Sequence, residues 1–237
     1  MFFIEIINKI IIFWQIFMHN SVDQLISIEE EIKTKLIDLK NQNYNPKIIA
    51  VSKTFAMSSI LPLINYGQQD FGENKVQEAI EKWTDIKADF KDIKLHLIGK
   101  LQTNKVKYVI PLFDYIHSLD NLRLAEKISQ QQLRYKKNLK IFIQVNIGNE
   151  TQKNGIEIEN LSTFYKKCVN DLNLDIIGLM CIPPNDNTSI YFSRMKELAD
   201  KMNLPELSMG MSDDYLQACN HNSTFLRIGS KIFGNRD

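Results

Sequence analysis

From Ser21 onward the chain repeats one unit: a short apolar run rich in β-branched residues, a loop, and a segment with apolar residues at helical spacing. The runs are Lys47–Lys53, Asp70–Asn74, Lys94–Gly99, Tyr115–Asp120, Lys140–Asn146, Asp175–Ile182, Glu206–Gly210 and Phe225–Gly229. Helical patterning fills the intervals at about 56–66, 75–90, 103–112, 121–137, 157–170, 186–203 and 213–220. Strands alternating with helices build a parallel sheet covered on both faces, and eight such strands close a barrel. An open doubly wound sheet is the alternative, but no G-x-G-x-x-G follows the first run. After the eighth run too few residues remain for a covering helix. The stretch Val22–Lys40 carries Val22, Leu25, Ile28, Ile32, Leu36 and Leu39 at helical spacing and is placed to cover that gap. The expected fold is therefore α/β, a single (β/α)8 TIM barrel over residues 18–237.

Composition narrows the function classes. The 237 residues are 44% apolar, enough for one large core. The near-neutral net charge of +1 argues against a nucleic-acid binder, with a local basic patch at Lys100 to Lys107 as the exception. Cys168, Cys181 and Cys219 lack metal-ligand spacing and suit a reducing cytoplasm as small core residues. The four histidines are scattered, with no cluster pointing to zinc. Residues 1–17 stand apart: Ile- and Phe-rich, yet interrupted by Glu5 and Lys9. A spanning helix needs roughly 20 mostly apolar residues, and a secretory signal needs a basic start and a small-residue cleavage site. The segment reads as a non-native extension ahead of a start at Met18, with a weak membrane or partner anchor as the other reading.

In barrels of this kind the site lies at the carboxyl ends of the strands, with phosphate often held after strands seven and eight. The first run ends in Ser52-Lys53-Thr54, and a partly desolvated lysine there can give up its proton and attack an aldehyde. Lys100 also follows an apolar run, but a loop lysine beyond a glycine is more hydrated and less nucleophilic, so Lys53 is preferred. Ser212 precedes the helix after the seventh run and is placed as its N-cap, leaving backbone N–H groups for an anion. Gly229 permits close approach of a ligand, and Ser230 adds an N–H and a hydroxyl. Arg227 alternates with Leu226 and Ile228, so one face of the eighth strand carries a guanidinium. It can grip phosphate, lie beside a cofactor ring, or pair with an acidic group inside the barrel. A phosphorylated aldehyde is a coherent ligand for this set.

The same residues sit in blocks that closely resemble the YggS/PROSC family of pyridoxal phosphate homeostasis proteins, whose barrel is akin to the amino-terminal domain of alanine racemase. The blocks are IIAVSKT (48–54), FGENKVQE (71–78), HLIGKLQTNK (96–105), QVNIGNETQKNGI (144–156), GLMCIPP (178–184), LSMGMSDDY (207–215) and FLRIGSKIFGNR (225–236). The resemblance implies a pyridoxal phosphate fold type III-like barrel without the carboxyl-terminal β-domain of the racemases. It implies that Lys53 carries pyridoxal 5'-phosphate as an internal aldimine. It implies phosphate contacts from Ser212, Gly229 and Ser230, with Arg227 and Asn74 beside the cofactor. Lys100 fills a variable position, and nothing specific is carried to it.

The resemblance points to a non-catalytic protein that buffers or delivers the cofactor. A racemase or decarboxylase using the same lysine is the alternative, and an unrelated Schiff-base aldolase is a third reading. Racemisation needs acid and base groups on both faces of the substrate carbon. In the related racemases a second domain supplies the opposing tyrosine, whereas tyrosines such as Tyr108, Tyr165 and Tyr191 fall on helical segments here. No carboxylate–lysine relay for an aldolase is visible near the run ends. The expected partners are pyridoxal phosphate and apo forms of enzymes that use it, with the protein a monomer or weak homodimer.

Overall fold

In a computed structural model, residues 20–40, 44–150 and 152–234 are described; the expected extension 1–17 lies outside them. Eight parallel strands pair in chain order, and the last returns to the first to close a barrel. They are β1 (Lys47–Val51), β2 (Asp70–Glu73), β3 (Lys94–Leu97), β4 (Tyr115–Leu119), β5 (Lys140–Gln144), β6 (Ile176–Met180), β7 (Glu206–Ser208) and β8 (Phe225–Ile228). The closing register sets Ile49 beside Arg227 and Ala50 beside Ile228, while Val51 pairs with Gly72 on the other side of β1. The open-sheet alternative is thereby excluded.

Strand alternation divides the apolar residues between two cores. Ile49, Val51, Tyr115, Phe142, Met180 and Phe225 fill the barrel. Their strand neighbours, such as Ala50, Ile116, Ile141, Ile143 and Leu226, pack outward against the helices. That outer layer includes α1 (Asn20–Asp38), α2 (Met57–Tyr66), α3 (Val76–Asp89), α4 (Val106–Leu112), α5 (Leu122–Tyr135), α6 (Ile158–Lys166) and α7 (Thr188–Lys201). Local signals set their ends. Asn121 Oδ1 accepts the Leu124 N–H at 2.9 Å to start α5, and Gly67 stops α2 at φ 114°, a left-handed turn that glycine adopts without steric cost.

Two short helices follow the last strands, α8 (Tyr215–Cys219) and α9 (Ser230–Phe233). α9 is short, and α1 packs against α9, α8 and α2, on the side of the barrel where the apolar spacing of Val22–Lys40 places it. Lys231 Nζ reaches Glu31 Oε1 and Oε2 at 2.9 and 2.8 Å and Tyr215 Oη at 2.7 Å, tying α9, α1 and α8 together. The Lys231 and Tyr215 hydrogen bonds hold the Glu31 carboxyl below its ordinary range. This carboxylate's contribution is therefore present above its unfolded-state pKa and fades as pH falls through the folded one. Among the described residues no helix is long and apolar enough to cross a membrane.

Candidate functional site

The strand register brings the expected residues to one mouth of the barrel. Lys53 follows β1, Asn74 follows β2, and Gly229 and Ser230 follow β8, next to β1. Ser212, after β7, joins them through its hydroxyl, which accepts the N–H groups of Gly229 and Lys231, each at 3.3 Å. Those amides open α9 and are the kind of donors an anion takes. The geometry corrects one expectation: Ser212 does not cap the helix that follows it. α8 begins later, with Asp214 at its N-cap position, and Asp214 Oδ1 accepts the Met211 N–H at 2.6 Å. Ser212 instead bridges two loops. Gly229 has a negative φ of −119°, and an added Cβ would stand 3.3 Å from Val51 Cβ, so closeness to β1 is what favours glycine.

β1 stops at Val51, short of the expected run, and Lys53 lies half-buried in the turn beyond it. The Phe55 N–H donates to Ser52 O at 3.2 Å, and Thr54 takes φ 68°. A β-branched residue at positive φ carries backbone strain, of order 1–3 kcal/mol. The strained turn is gripped from outside the barrel. Glu78 Oε1 accepts the Thr54 N–H at 2.5 Å, and Lys82 Nζ donates to Ser52 O at 2.9 Å. Lys82 also bonds Glu73 Oε1 at 2.9 Å and Glu78 Oε1 at 3.0 Å. Glu73 is fully buried, and its Oε1 also accepts from Ser52 Oγ at 2.8 Å and Trp83 Nε1 at 2.9 Å. Burial pushes the Glu78 carboxyl up, but the Thr54 amide and Lys82 outweigh it and leave the pKa lowered. Sequence reading missed this brace. Its one available signal was a glutamate inside an apolar run, which needs a partner.

Arg227 points into the barrel and is 4% exposed. Nη1 donates to Ser208 Oγ at 2.7 Å and Nη2 to the Cys181 carbonyl at 2.9 Å. The expected alternative of a direct ion pair is not what the structure shows: among the described residues no carboxylate lies in salt-bridge contact with it. Burial lowers the Arg227 pKa, with Cys181 and Asp214 opposing that shift electrostatically.

Asn74 is half-buried against Gly99, where an added Cβ would stand 2.3 Å from the Asn74 carbonyl oxygen. Lys100 is exposed, and its Nζ donates to Asn154 Oδ1 at 2.7 Å. Together with Asn74, Lys75, Gln102 and Lys105 it lines a cavity of about 290 Å³ at the rim, apart from the braced turn that holds Lys53. Cys168, Cys181 and Cys219 are free thiols and buried. Burial pushes the Cys168 and Cys181 thiols each up to about 12, as expected of core residues.

Comparison with known proteins agrees with the fold. Residues 29–237 match the family model described as alanine racemase, N-terminal domain. The pyridoxal phosphate homeostasis protein of Haemophilus influenzae is 37% identical over 222 residues, covering 89% of this chain and 93% of that protein. Its namesake from Aquifex aeolicus is 36% identical over 230 residues, covering 92% and 99%. The solved structure of PipY from Synechococcus elongatus with PLP bound superposes with a TM-score of 0.73 at 33% identity, covering 86% of this chain and all of that one.

Proposed function

The chain belongs to the family of the alanine racemase N-terminal domain, among its pyridoxal phosphate homeostasis proteins, and from that premise we propose that it binds pyridoxal 5'-phosphate covalently on Lys53 and acts as a carrier of the cofactor. One observation carries the reading: a half-buried lysine on a braced turn shares a barrel mouth with two backbone amides that converge on a serine hydroxyl. The residues fit the cofactor's three functional parts. Lys53 Nζ would hold the aldehyde carbon, and Ser212, Gly229 and Ser230 would supply hydroxyl and amide groups for the phosphate oxygens. Arg227 serves the ring. Its two terminal nitrogens are engaged by Ser208 and Cys181, so a bidentate grip on phosphate is disfavoured. Asn74 completes the rim. When bound, the cofactor supplies an electron sink for carbanion chemistry at an amine's α-carbon. The chain's own groups would bind it and orient it.

The carrier reading follows the relatives' names. Fast racemisation or decarboxylation needs a positioned proton donor or acceptor opposite Lys53. Among the described residues, Tyr115 lies inside the barrel stacked on His96, and the Tyr215 hydroxyl is taken by Glu31 and Lys231. Tyr108, Tyr165 and Tyr191 sit on the outer helices α4, α6 and α7. We place the carrier in the cytoplasm, where its buried free thiols stay reduced, and assign apo-enzymes that use the cofactor as its recipients.

The test is α-proton exchange into heavy water across a panel of amino acids. The carrier reading expects exchange far below ordinary enzymatic rates of about 1 per second. Exchange at that rate or faster, lost in Lys53→Ala, would make the protein an enzyme. A companion variant, Arg227→Gln, keeps polarity but removes the charge and should weaken cofactor binding by about 1–3 kcal/mol. Equilibrium titration checks it; unchanged affinity with a collapsed melting temperature would leave Arg227 a purely structural residue.

A further inference from the structure

Two of the histidines that look scattered in the sequence meet inside the barrel. His96 on β3 and His117 on β4 are fully buried, and His96 Nδ1 lies 3.0 Å from His117 Nε2. The chain of contacts extends in both directions. His96 Nε2 lies 2.8 Å from Asp70 Oδ1 at the start of β2, and His117 Nδ1 lies 2.8 Å from Ser208 Oγ on β7. Ser208 is the residue that receives the Arg227 Nη1–H. Asp70 lines a cavity of about 490 Å³ with Lys47 and Gln68 at the opposite, amino-terminal mouth. A continuous hydrogen-bonded path therefore runs through the barrel from one mouth to the other.

The protons of this path have one consistent arrangement. Burial lowers both imidazole pKa values, so each ring is neutral with one donor and one acceptor. Asp70 as a carboxylate only accepts, so His96 donates from Nε2 and accepts at Nδ1. His117 must then donate from Nε2 and accept at Nδ1 from the Ser208 hydroxyl. The Ser208 oxygen is left to accept from Arg227. Every donor faces an acceptor, and the dipoles align from a guanidinium at one end to a carboxylate at the other. Aromatic rings wall the path: His96 stacks on Tyr115 at 4.1 Å, His117 stacks on Phe142 at 4.3 Å, and Phe225 touches both histidines. Inside such a low-dielectric channel, aligned hydrogen bonds polarise one another.

We infer that Asp70, His96, His117 and Ser208 are positioning residues that fix the orientation of Arg227 and offset its buried charge from the far mouth of the barrel. The inference rests on the proposed place of Arg227 beside the cofactor ring. It assigns a role to Asp70 that proximity would not suggest, because Asp70 lies at the mouth opposite the cofactor. Asp70→Asn keeps a carbonyl oxygen for His96 and removes only the charge, so the fold is retained while the path loses its anionic end.

The experiment compares wild type, Asp70→Asn, Asp70→Glu and Ser208→Ala, reading cofactor affinity, the visible absorption of bound pyridoxal phosphate and the ring-nitrogen NMR shifts of His96 and His117. The expected result is affinity weakened about 3-fold or more in Asp70→Asn and further in Ser208→Ala, in the range of coupling through packed networks. The absorption maximum should move in both, and Asp70→Glu should restore it. The nitrogen shifts of wild type should show both protons on Nε2, whether or not cofactor is bound. Wild-type affinity and spectrum in Asp70→Asn would overturn the inference, as would an Nδ1–H on His117. A wild-type protein that binds no pyridoxal phosphate would refute the function proposed above; the nitrogen shifts would still decide the path itself.

Discussion

Replacing Lys82 by methionine is expected to lower the unfolding free energy by about 3–5 kcal/mol, the usual cost of leaving a buried partner charge uncompensated. Glu73 is fully buried and pairs with Lys82 at 2.9 Å, while Lys82 itself is only 10% exposed. Among the described residues Glu73 Oε2 already has no hydrogen-bond partner, so the loss of Lys82 adds to an existing deficit. For a domain of this size the melting temperature should fall by about 10 °C. The consequence reaches the site. Lys82 also holds the Ser52 carbonyl, and its ion pair with Glu78 steadies the acceptor of the Thr54 amide. The lysine-bearing turn would therefore loosen before the barrel opens, and cofactor affinity should fall in protein that is still folded. Urea unfolding and cofactor titration on the same samples check both parts. A stability loss below about 1 kcal/mol, typical of an exposed pair, would mean that Lys82 is a surface residue in effect.

The second large effect is expected from Lys53→Ala: complete loss of cofactor retained through exhaustive dialysis. Covalent attachment needs a neutral amine at the aldehyde carbon, and no other lysine shares the braced turn after β1. Ser212, Gly229 and Ser230 remain, so weak, reversible binding of the phosphate should survive. Equilibrium dialysis separates the two outcomes. Undiminished retention in Lys53→Ala would place the attachment elsewhere, with Lys100 at the rim cavity the first residue to examine.

How much of this was legible in the sequence depended on the range of the interaction. The eight strands and their order followed from apolar runs of the right length, and the candidate site residues are the polar groups that end them. Strand ends were overrun because burial continues past the ladder: Ser52 and Cys181 are both fully buried beyond their strands. Ser212 looked like an N-cap because it precedes two aspartates. Helix α8 nevertheless starts only at Tyr215, after Asp214 has folded back on the Met211 amide. The Glu73–Lys82 brace joins a strand to the helix after it and leaves no periodic trace. His96 and His117 stand 21 positions apart in the sequence, and adjacent parallel strands bring their ring nitrogens within 3.0 Å. Inward alternation on β3 and β4 was the available clue. A histidine at an inward position of a barrel strand must find a polar partner from a neighbouring strand.

On the proposed function, pyridoxal phosphate is attached to Lys53. Incubating the full chain with the cofactor, reducing with borohydride and mapping peptides by mass spectrometry tests it most directly. Visible absorbance should bleach, and the pyridoxyl group should be found on the peptide carrying Ser52-Lys53-Thr54. A pyridoxyl group on the Lys100 peptide, or on no lysine, would contradict the account.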